Sequence, residues 1–276
     1  MLAFLLGSTT ALYIVGNRAL FTEELGGLAL TYATVVPYFL NIVSEMFVQM
    51  RTSVAALERL LDYLDLPQEP EHERPDDPPI GQWPTAGRIE FLDLCMRYRP
   101  GLPLALQDLS ATVEAGAKVG IVGRTGAGKS TLVLALFRLV EPASGTVLID
   151  GRETSSLGLH TLRRAMTIIP QDPVLHDGTV AHNLWPFGNI SDDELRSALV
   201  RARLPADMLH AHVAKGGTNL SSGERQLLCF ARAMLAGAHI LILDEATSNL
   251  DEAADAAMQA LLRDEFASKT LLTIAH

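Results

Sequence analysis

The sequence predicts an α/β domain built around a phosphate-binding loop and preceded by an all-α membrane segment. Residues 118–132 have the sequence KVGIVGRTGAGKSTL, an apolar run followed by a glycine-rich turn and a Lys-Ser-Thr helix start. On both sides of this stretch, strand-like runs alternate with helical patterns, which is typical of a largely parallel sheet. Nearer the start, residues 28–50 are apolar with a single charge. We therefore expect phosphate chemistry next to a membrane.

Composition narrows the classes of function. The chain has 276 residues, 48% of them hydrophobic, and a net charge of −10. Its mean hydropathy of +0.20 is high for a soluble enzyme, so part of it should lie in a membrane. We find no basic stripe, which argues against a nucleic-acid partner. Cys95 and Cys229 lie far apart in apolar runs, which indicates reduced, buried thiols in the cytosol.

Residues 1–66 are predicted to be a partial transmembrane domain of two helices. The first apolar stretch, 2–15, is about 14 residues long, fewer than the ~20 needed to cross a bilayer. A signal-peptide core is the alternative, but the basic lead-in and cleavage site are missing, so we interpret it as part of a membrane helix. Residues 28–50 are long enough to span. Arg51 and Arg59 follow this span, and the positive-inside bias indicates that its C-terminal end lies in the cytosol.

A polar stripe runs along the second predicted span, and an amphipathic helix over 51–66 extends it into the cytosol. Within the stripe, Glu45 either marks a transport path or lies near the cytosolic surface; both interpretations remain open. Residues 67–87 hold six prolines and an acidic run, a composition that predicts an extended, solvated linker. The second domain is then expected over 88–276.

Within the second domain, strands are predicted at residues 89–98, 109–113, 119–122, 145–150, 167–169, 239–243 and 270–274, and a helix at 131–140. Two further helices should begin at the capping boxes Ser191 to Glu194 and Ser221 to Glu224, where serine and glutamate satisfy each other's backbone donors.

The phosphate-binding loop is predicted from Gly123, Gly128, Lys129 and Ser130, which fit G-x-x-x-x-G-K-[ST]. Small residues let backbone N–H groups close around phosphate oxygens. Lys129 should reach the β and γ phosphates, and the Ser130 hydroxyl should bind Mg²⁺. A glycine-rich turn without a ligand is the alternative, which the strand before and the helix after disfavour. The other residues expected to line the phosphates are Arg124, Thr125, Gly126, Ala127 and Thr131.

Two acids close the apolar run of residues 239–245, HILILDE. Beside a phosphate-binding loop, Asp244 can hold Mg²⁺ through water, and Glu245 can orient or deprotonate the attacking water. A strand that simply ends in solvated acids is the alternative, and the loop makes it the weaker one.

Residues 220–226, LSSGERQ, match the cassette signature LSGGQ, which other loop NTPases lack. With the loop and the acid pair, the chain resembles the C-terminal part of an ATP-binding-cassette (ABC) exporter of the multidrug-resistance-associated (C) subfamily. The resemblance implies a P-loop NTPase fold with a helical subdomain. It also implies ATP and Mg²⁺ as cofactors and ATP hydrolysis coupled to export of organic anions, conjugates or drugs. A regulatory nucleotide-sensing cassette that gates a channel or partner is the alternative.

The resemblance also implies roles for single residues. Tyr98 would stack on adenine, and Gln171 would lie at the Mg²⁺ site. The signature residues would contact the γ-phosphate held by a second cassette, and Asp251 would line the same interface. His276 resembles the switch histidine. The signature residues concerned are Ser221, Ser222, Gly223 and Glu224.

The implied whole is an integral, multi-pass membrane protein with its nucleotide-binding domain in the cytosol. Its partners would be a second nucleotide-binding domain, the remaining membrane helices, lipid and a small-molecule substrate. The chain departs from the family at Ser222 and Glu224, at Trp185, and in a shortened interval over 198–216. We therefore expect the chain to be a fragment of an exporter that lacks further membrane spans and the strands after His276. Alone, it should transport nothing. A soluble DNA-maintenance ATPase is disfavoured by the apolar spans and acidic charge.

Overall fold

The computed structural model describes residues 2–17, 20, 22–245 and 252–275. It divides into two compact units, Met1–Glu69 and Pro70–His276. Asp251 and His276 lie outside the described residues.

The first unit consists of helices α1 (Leu2–Gly16) and α2 (Glu23–Leu64). Two glycines allow them to approach closely: a Cβ on Gly7 would lie 3.1 Å from Thr34 Cγ2, and one on Gly26 would lie 3.3 Å from Ile14 Cγ2. The side chain of Thr22 accepts the N–H of Leu25 and caps α2. Judged by length and composition, α2 can cross a membrane, and it continues beyond the apolar run as predicted.

The second unit contains an antiparallel sheet of β1 (Ile89–Met96), β2 (Leu106–Val113), β4 (Ser144–Ile149) and β5 (Arg152–Glu153), in the order β2-β1-β4-β5. The prediction of one largely parallel sheet is incomplete on this point. β1 pairs antiparallel with β2 and with β4, and the sheet that these strands form does not include β3, the strand before the loop. Their alternating residues suit an antiparallel sheet, in which one face packs on the core and the other can meet water.

The second sheet is entirely parallel and contains β3 (Lys118–Val122), β6 (Met166–Ile169), β9 (Ile240–Asp244) and β10 (Thr270–Ala275), in the order β3-β10-β9-β6. The first four residues of β9 are buried, as expected of a strand covered on both faces. Because the strands are parallel, their carboxyl ends share one edge. The loop after β3, Gln171 after β6 and Glu245 after β9 therefore lie on the same side of the sheet.

Helix α3 (Lys129–Leu136) follows the loop, and α4 (Leu159–Arg164) precedes β6. The predicted helix over 131–140 ends early because Arg138 takes a left-handed backbone conformation with φ +48°, which a helix cannot continue. Helix α8 (Glu252–Glu265) precedes β10.

A helical subdomain is formed by α5 (Val180–Leu184), α6 (Asp192–Arg201) and α7 (Ser222–Ala236), with a short pair of strands, β7 (Gly178–Thr179) and β8 (His212–Val213). It has its own apolar core, to which Leu199, Leu209 and Leu228 contribute fully buried side chains. Both predicted capping boxes are confirmed, at the starts of α6 and α7.

The segment of residues 70–87, here called the strap, forms the start of the second unit and packs against the rest of it. The backbone N–H groups of Leu159 and His160 donate to the carbonyl oxygens of Glu71 (3.1 Å) and His72 (2.9 Å). Trp83 packs against the main core. Composition predicted an extended, solvated stretch, but these contacts join it to α4.

Asp77 shows why the acidic run is not simply solvated. Its carboxylate accepts hydrogen bonds from the N–H groups of Arg74 and Gly158, both at 2.9 Å, and from Thr161 Oγ1 at 3.1 Å. Burial acts to raise the pKa of Asp77, but these hydrogen bonds outweigh it and bring the pKa below its usual value. Donors more than 80 residues away thus take the place of water around the Asp77 carboxylate. The composition of the acidic run does not reveal these contacts.

Asp150 fixes the end of the strap. Its carboxylate accepts the backbone N–H groups of four consecutive residues, at 2.7–3.1 Å. Burial acts to raise the pKa of Asp150, but the four bonds lower it below its usual value. The donors are Thr85, Ala86, Gly87 and Arg88.

Candidate nucleotide-binding site

The loop between β3 and α3 requires glycine at its last position. Gly128 has φ +90°, and a Cβ there would lie 2.7 Å from Leu106 Cδ2 and 2.9 Å from the carbonyl oxygen of Ala105. Gly128 is also the N-cap of α3 and offers no side chain to the N–H groups of the first turn. The start of α3 is therefore a place where backbone donors and the helix dipole both favour an anion.

Lys129 lies inside this loop. Only 8% of the residue is exposed, and its Nζ donates to the carbonyl oxygens of Gly123 (2.7 Å) and Arg124 (3.4 Å). A buried ammonium needs such partners, because an unsatisfied charge is costly away from water. The carbonyl groups hold the charge within the loop, at the position from which the motif predicts contact with phosphate.

The structure brings Gln171 and Glu245 together. Ile169 pairs with Leu243 in the parallel sheet, so the two residues that follow these strands lie side by side. Gln171 Nε2 donates to Glu245 Oε2 at 3.1 Å. The backbone N–H of Glu245 donates to Ile274 at 3.2 Å, and its φ is +47°. This geometry fixes the amide and the carboxylate at the sheet edge that also carries the loop.

Tyr98 also lies at the loop helix. Its hydroxyl shares a 2.8 Å hydrogen bond with Thr131 Oγ1, in the first turn of α3. Half of Tyr98 is exposed, whereas Thr131 is buried. One edge of the ring is thus fixed beside the phosphate loop while the rest remains accessible for stacking.

The signature residues lie at the start of α7. Ser221 accepts the N–H of Glu224 at 3.2 Å, and Glu224 Oε2 accepts the N–H of Ser221 at 2.8 Å. The Glu224 carboxylate is therefore engaged in the cap, while Ser221 and Ser222 are exposed. Among the described residues, no hydrogen bond joins Ser221, Ser222 or Gly223 to the phosphate loop, so the chain itself does not bring these two predicted parts together.

The residues at the sheet edge fit a magnesium nucleoside triphosphate. Backbone donors at an uncapped helix start and the Lys129 ammonium suit phosphate oxygens. The Ser130 hydroxyl and the Asp244 carboxylate are oxygen ligands of the kind Mg²⁺ takes. In the described part of the chain, no group of three or more His, Cys, Asp or Glu could hold a metal ion.

Sequence analysis overlooked Gln226. This residue is 4% exposed, and its side-chain amide donates to the carbonyl oxygens of Pro170 and Gln171. The available signal was a polar amide directly before the apolar run of α7, where an unpaired polar group is costly.

Comparisons with known proteins agree with this geometry. Residues 106–248 match the family profile described as ABC transporter. The chain is 45% identical to the ATP-binding cassette transporter abc2 of Schizosaccharomyces pombe, over 91% of its own length and 17% of the relative. It is 44% identical to the human ATP-binding cassette sub-family C member 3, over 96% of its length and 18% of the relative.

A further relative and a solved structure are also similar to this chain. The ATP-dependent bile acid permease of Saccharomyces cerevisiae is 38% identical over 96% of the chain and 18% of the relative. The structure of a bacterial Atm1-family ABC exporter with ATP bound superposes with a TM-score of 0.72 and 28% identity, over 99% of this chain and 49% of that one. The chain thus spans less than a fifth of the curated relatives' lengths and about half of the solved chain.

Proposed function

Because this chain belongs to the ABC transporter family, we propose that it is the ATP-binding and ATP-hydrolysing part of an exporter. The observation that carries the proposal is the shared sheet edge. There the Lys129 loop and the hydrogen-bonded pair of Gln171 and Glu245 follow strands of one parallel sheet. A phosphate-binding loop and a positioned carboxylate are the two parts that hydrolysis of a nucleoside triphosphate requires.

Each residue at this edge has a distinct part in the proposal. The N–H groups of the loop and Lys129 bind the phosphates, and Tyr98 stacks on the adenine. Ser130, Asp244 and Gln171 would hold Mg²⁺, which would neutralise charge on the phosphate oxygens when bound. Glu245 orients the attacking water and accepts its proton, while the amide of Gln171 fixes the direction of that carboxylate.

A second nucleotide-binding domain completes the site in this proposal. The exposed start of α7, with Ser221, Ser222 and Gly223, presents a helix N-terminus to the γ-phosphate bound by that partner. Asp251 would line the interface and His276 would contact the γ-phosphate; both assignments rest on the family resemblance.

The transported substrate is proposed to be an organic anion, a conjugate or a drug. The similarity to sub-family C proteins and to a bile acid permease supports this class. With α2 spanning the bilayer, the nucleotide-binding domain would lie in the cytosol, in an integral, multi-pass membrane protein. The isolated chain would not transport, because further membrane helices would be needed to enclose a path.

The test is Glu245→Gln in a full-length transporter that contains this chain. The amide oxygen of the new side chain still accepts the bond from Gln171, so only the charge and the basicity are removed. We expect phosphate release to fall by about 100-fold or more while ATP binding is retained and the closed pair of cassettes accumulates. Lys129→Met is the matched control, since it should lose ATP binding itself. Unchanged phosphate release by Glu245→Gln would contradict the assignment.

A further inference from the structure

Helix α7 holds the segment that carries Gln171 through one buried side chain. Gln226 Nε2 donates to the carbonyl oxygens of Pro170 (3.2 Å) and Gln171 (2.9 Å). The other end of the amide, Oε1, is buried and has no hydrogen-bond partner in the described part of the chain. All hydrogen bonding by this side chain is therefore directed at two consecutive carbonyl groups.

These carbonyl groups lie next to the proposed catalytic carboxylate. Gln171 is held by Gln226 through its backbone and reaches Glu245 Oε2 with its own side chain, at 3.1 Å. Among the described residues, no other side chain forms a hydrogen bond with the backbone of Pro170 or Gln171. The direction of the Gln171 amide thus depends on a contact made 55 residues further along the chain.

The far end of the segment has its own anchors. Arg232, six residues further along α7, donates to the carbonyl oxygen of Val174 at 2.9 Å. Leu175 is buried, and a Cβ on Gly217 would lie 2.5 Å from its Cδ1. Between these anchors and β6, Gln171 and Asp172 are exposed. The bonds from Gln226 are therefore the ones that fix the position of Gln171 itself.

We propose that Gln226 is a positioning residue, which places Gln171 and through it orients Glu245. The inference rests on the proposed function. Ser221 begins the same helix five residues earlier, about 7.5 Å along its axis. The helix proposed to contact the partner's nucleotide therefore also holds the amide beside this chain's own carboxylate.

The test variant is Gln226→Met. Methionine has a similar length and is unbranched, so the volume is kept while both donors are removed. No accepted bond is lost, because Oε1 accepts none among the described residues. Leu227→Met, the next position on α7, is the matched control, since it introduces the same side chain without removing a hydrogen bond.

The first measurement is amide hydrogen exchange of the full chain without nucleotide. We expect Gln226→Met to speed exchange in the peptide containing residues 171–174, with β9 unchanged and Leu227→Met equal to the parent. This result does not depend on ATP hydrolysis. If exchange in 171–174 is unchanged, Gln226 does not position this segment and the proposal is overturned.

The second measurement is steady-state ATP hydrolysis in the full-length transporter. We expect Gln226→Met to lower kcat by between about tenfold and 100-fold, with KM for ATP within about twofold. The double variant Gln226→Met/Gln171→Ala should hydrolyse ATP no more slowly than Gln171→Ala alone, because both substitutions act through the side-chain amide of Gln171.

The alternatives separate clearly. Additive losses in the double variant would overturn the positioning role. A joint loss of ATP affinity and thermal stability would instead make Gln226 merely structural. The proposed function fails on a different result, unchanged phosphate release by Glu245→Gln, so the two failures are distinguishable.

Discussion

At the residue level, the phosphate-binding loop keeps its conformation through contacts of two of its residues, Gly128 and Lys129. Gly128 is confined by Ala105 and Leu106 at the start of β2, and Lys129 is held by the carbonyl groups of Gly123 and Arg124. The motif predicted glycine for its backbone freedom. The structure adds a second reason, the close approach of β2, which no local pattern contains.

Gly128→Ala should therefore be more damaging than Gly126→Ala. Both residues have a left-handed backbone, with φ +90° and +82°, so both substitutions carry a conformational cost of about 1–2 kcal/mol. Only at position 128 would the new Cβ meet other atoms, since nothing lies within 4 Å at position 126. We expect Gly128→Ala to lose a further ~1–3 kcal/mol in denaturant unfolding and to abolish nucleotide binding. Equal losses for the two variants would contradict the steric argument.

At the scale of the element, the helix caps and the strap follow different rules. The capping boxes at Ser191 and Ser221 were predicted correctly because each is complete within four residues. The strap was not predicted, because its acids bond to backbone groups of other elements, as Asp77 does to Gly158. Composition shows that a segment is acidic, but it does not show whether hydrogen-bond donors of other elements lie next to its carboxylates.

The Asp150 carboxylate gives the strap a pH dependence that can be measured. The folded state holds its pKa below the usual value of 3.8, so its stabilisation is complete above that pH and is lost as the pH falls through the folded pKa. Asp150→Asn should lower the free energy of unfolding by about 1 kcal/mol at pH 7, with allowance for solvent screening.

The difference between Asp150→Asn and the parent should shrink as the pH falls below about 4, and it should vanish once the pH is below the folded pKa of Asp150. Asp76→Asn, an exposed acid of the strap, is the control and should show little difference at any pH. A gap between Asp150→Asn and the parent that stays constant from pH 7 to pH 3 would show that the carboxylate charge does not stabilise the strap.

At the scale of the whole molecule, two units with different surfaces are joined in one chain. The second unit buries its apolar side chains in continuous cores, whereas α2 has no buried residue and carries exposed apolar side chains over its whole length. Such a surface is stable in lipid or against other apolar helices, and not in water.

Two matched lysine substitutions test where α2 lies in lipid. Leu40 and Leu60 are exposed to similar extents, 63% and 61%, but only Leu40 falls in the apolar run. Leu40→Lys should reduce membrane insertion, because a lysine at the centre of a span costs about 2.5–3.5 kcal/mol. Leu60→Lys should be tolerated in the cytosolic extension. Alkaline extraction of membranes measures both, and equal retention of the two variants would contradict a span over residues 28–50.

Features that are complete within a few residues could be predicted from the amino-acid sequence: the loop from Gly123 to Ser130, the two capping boxes, the signature and the length of the apolar run. The family followed from these and was confirmed. The folded chain was needed to see that β10 lies between β3 and β9, that Gln171 contacts Glu245, and that Gln226 of α7 holds the backbone of Gln171. The difference comes from the sequence separation of the residues in contact. Local motifs satisfy their own backbone groups, whereas strand order and buried amide contacts join residues that are 55 to more than 150 positions apart and leave no periodic trace in the chain.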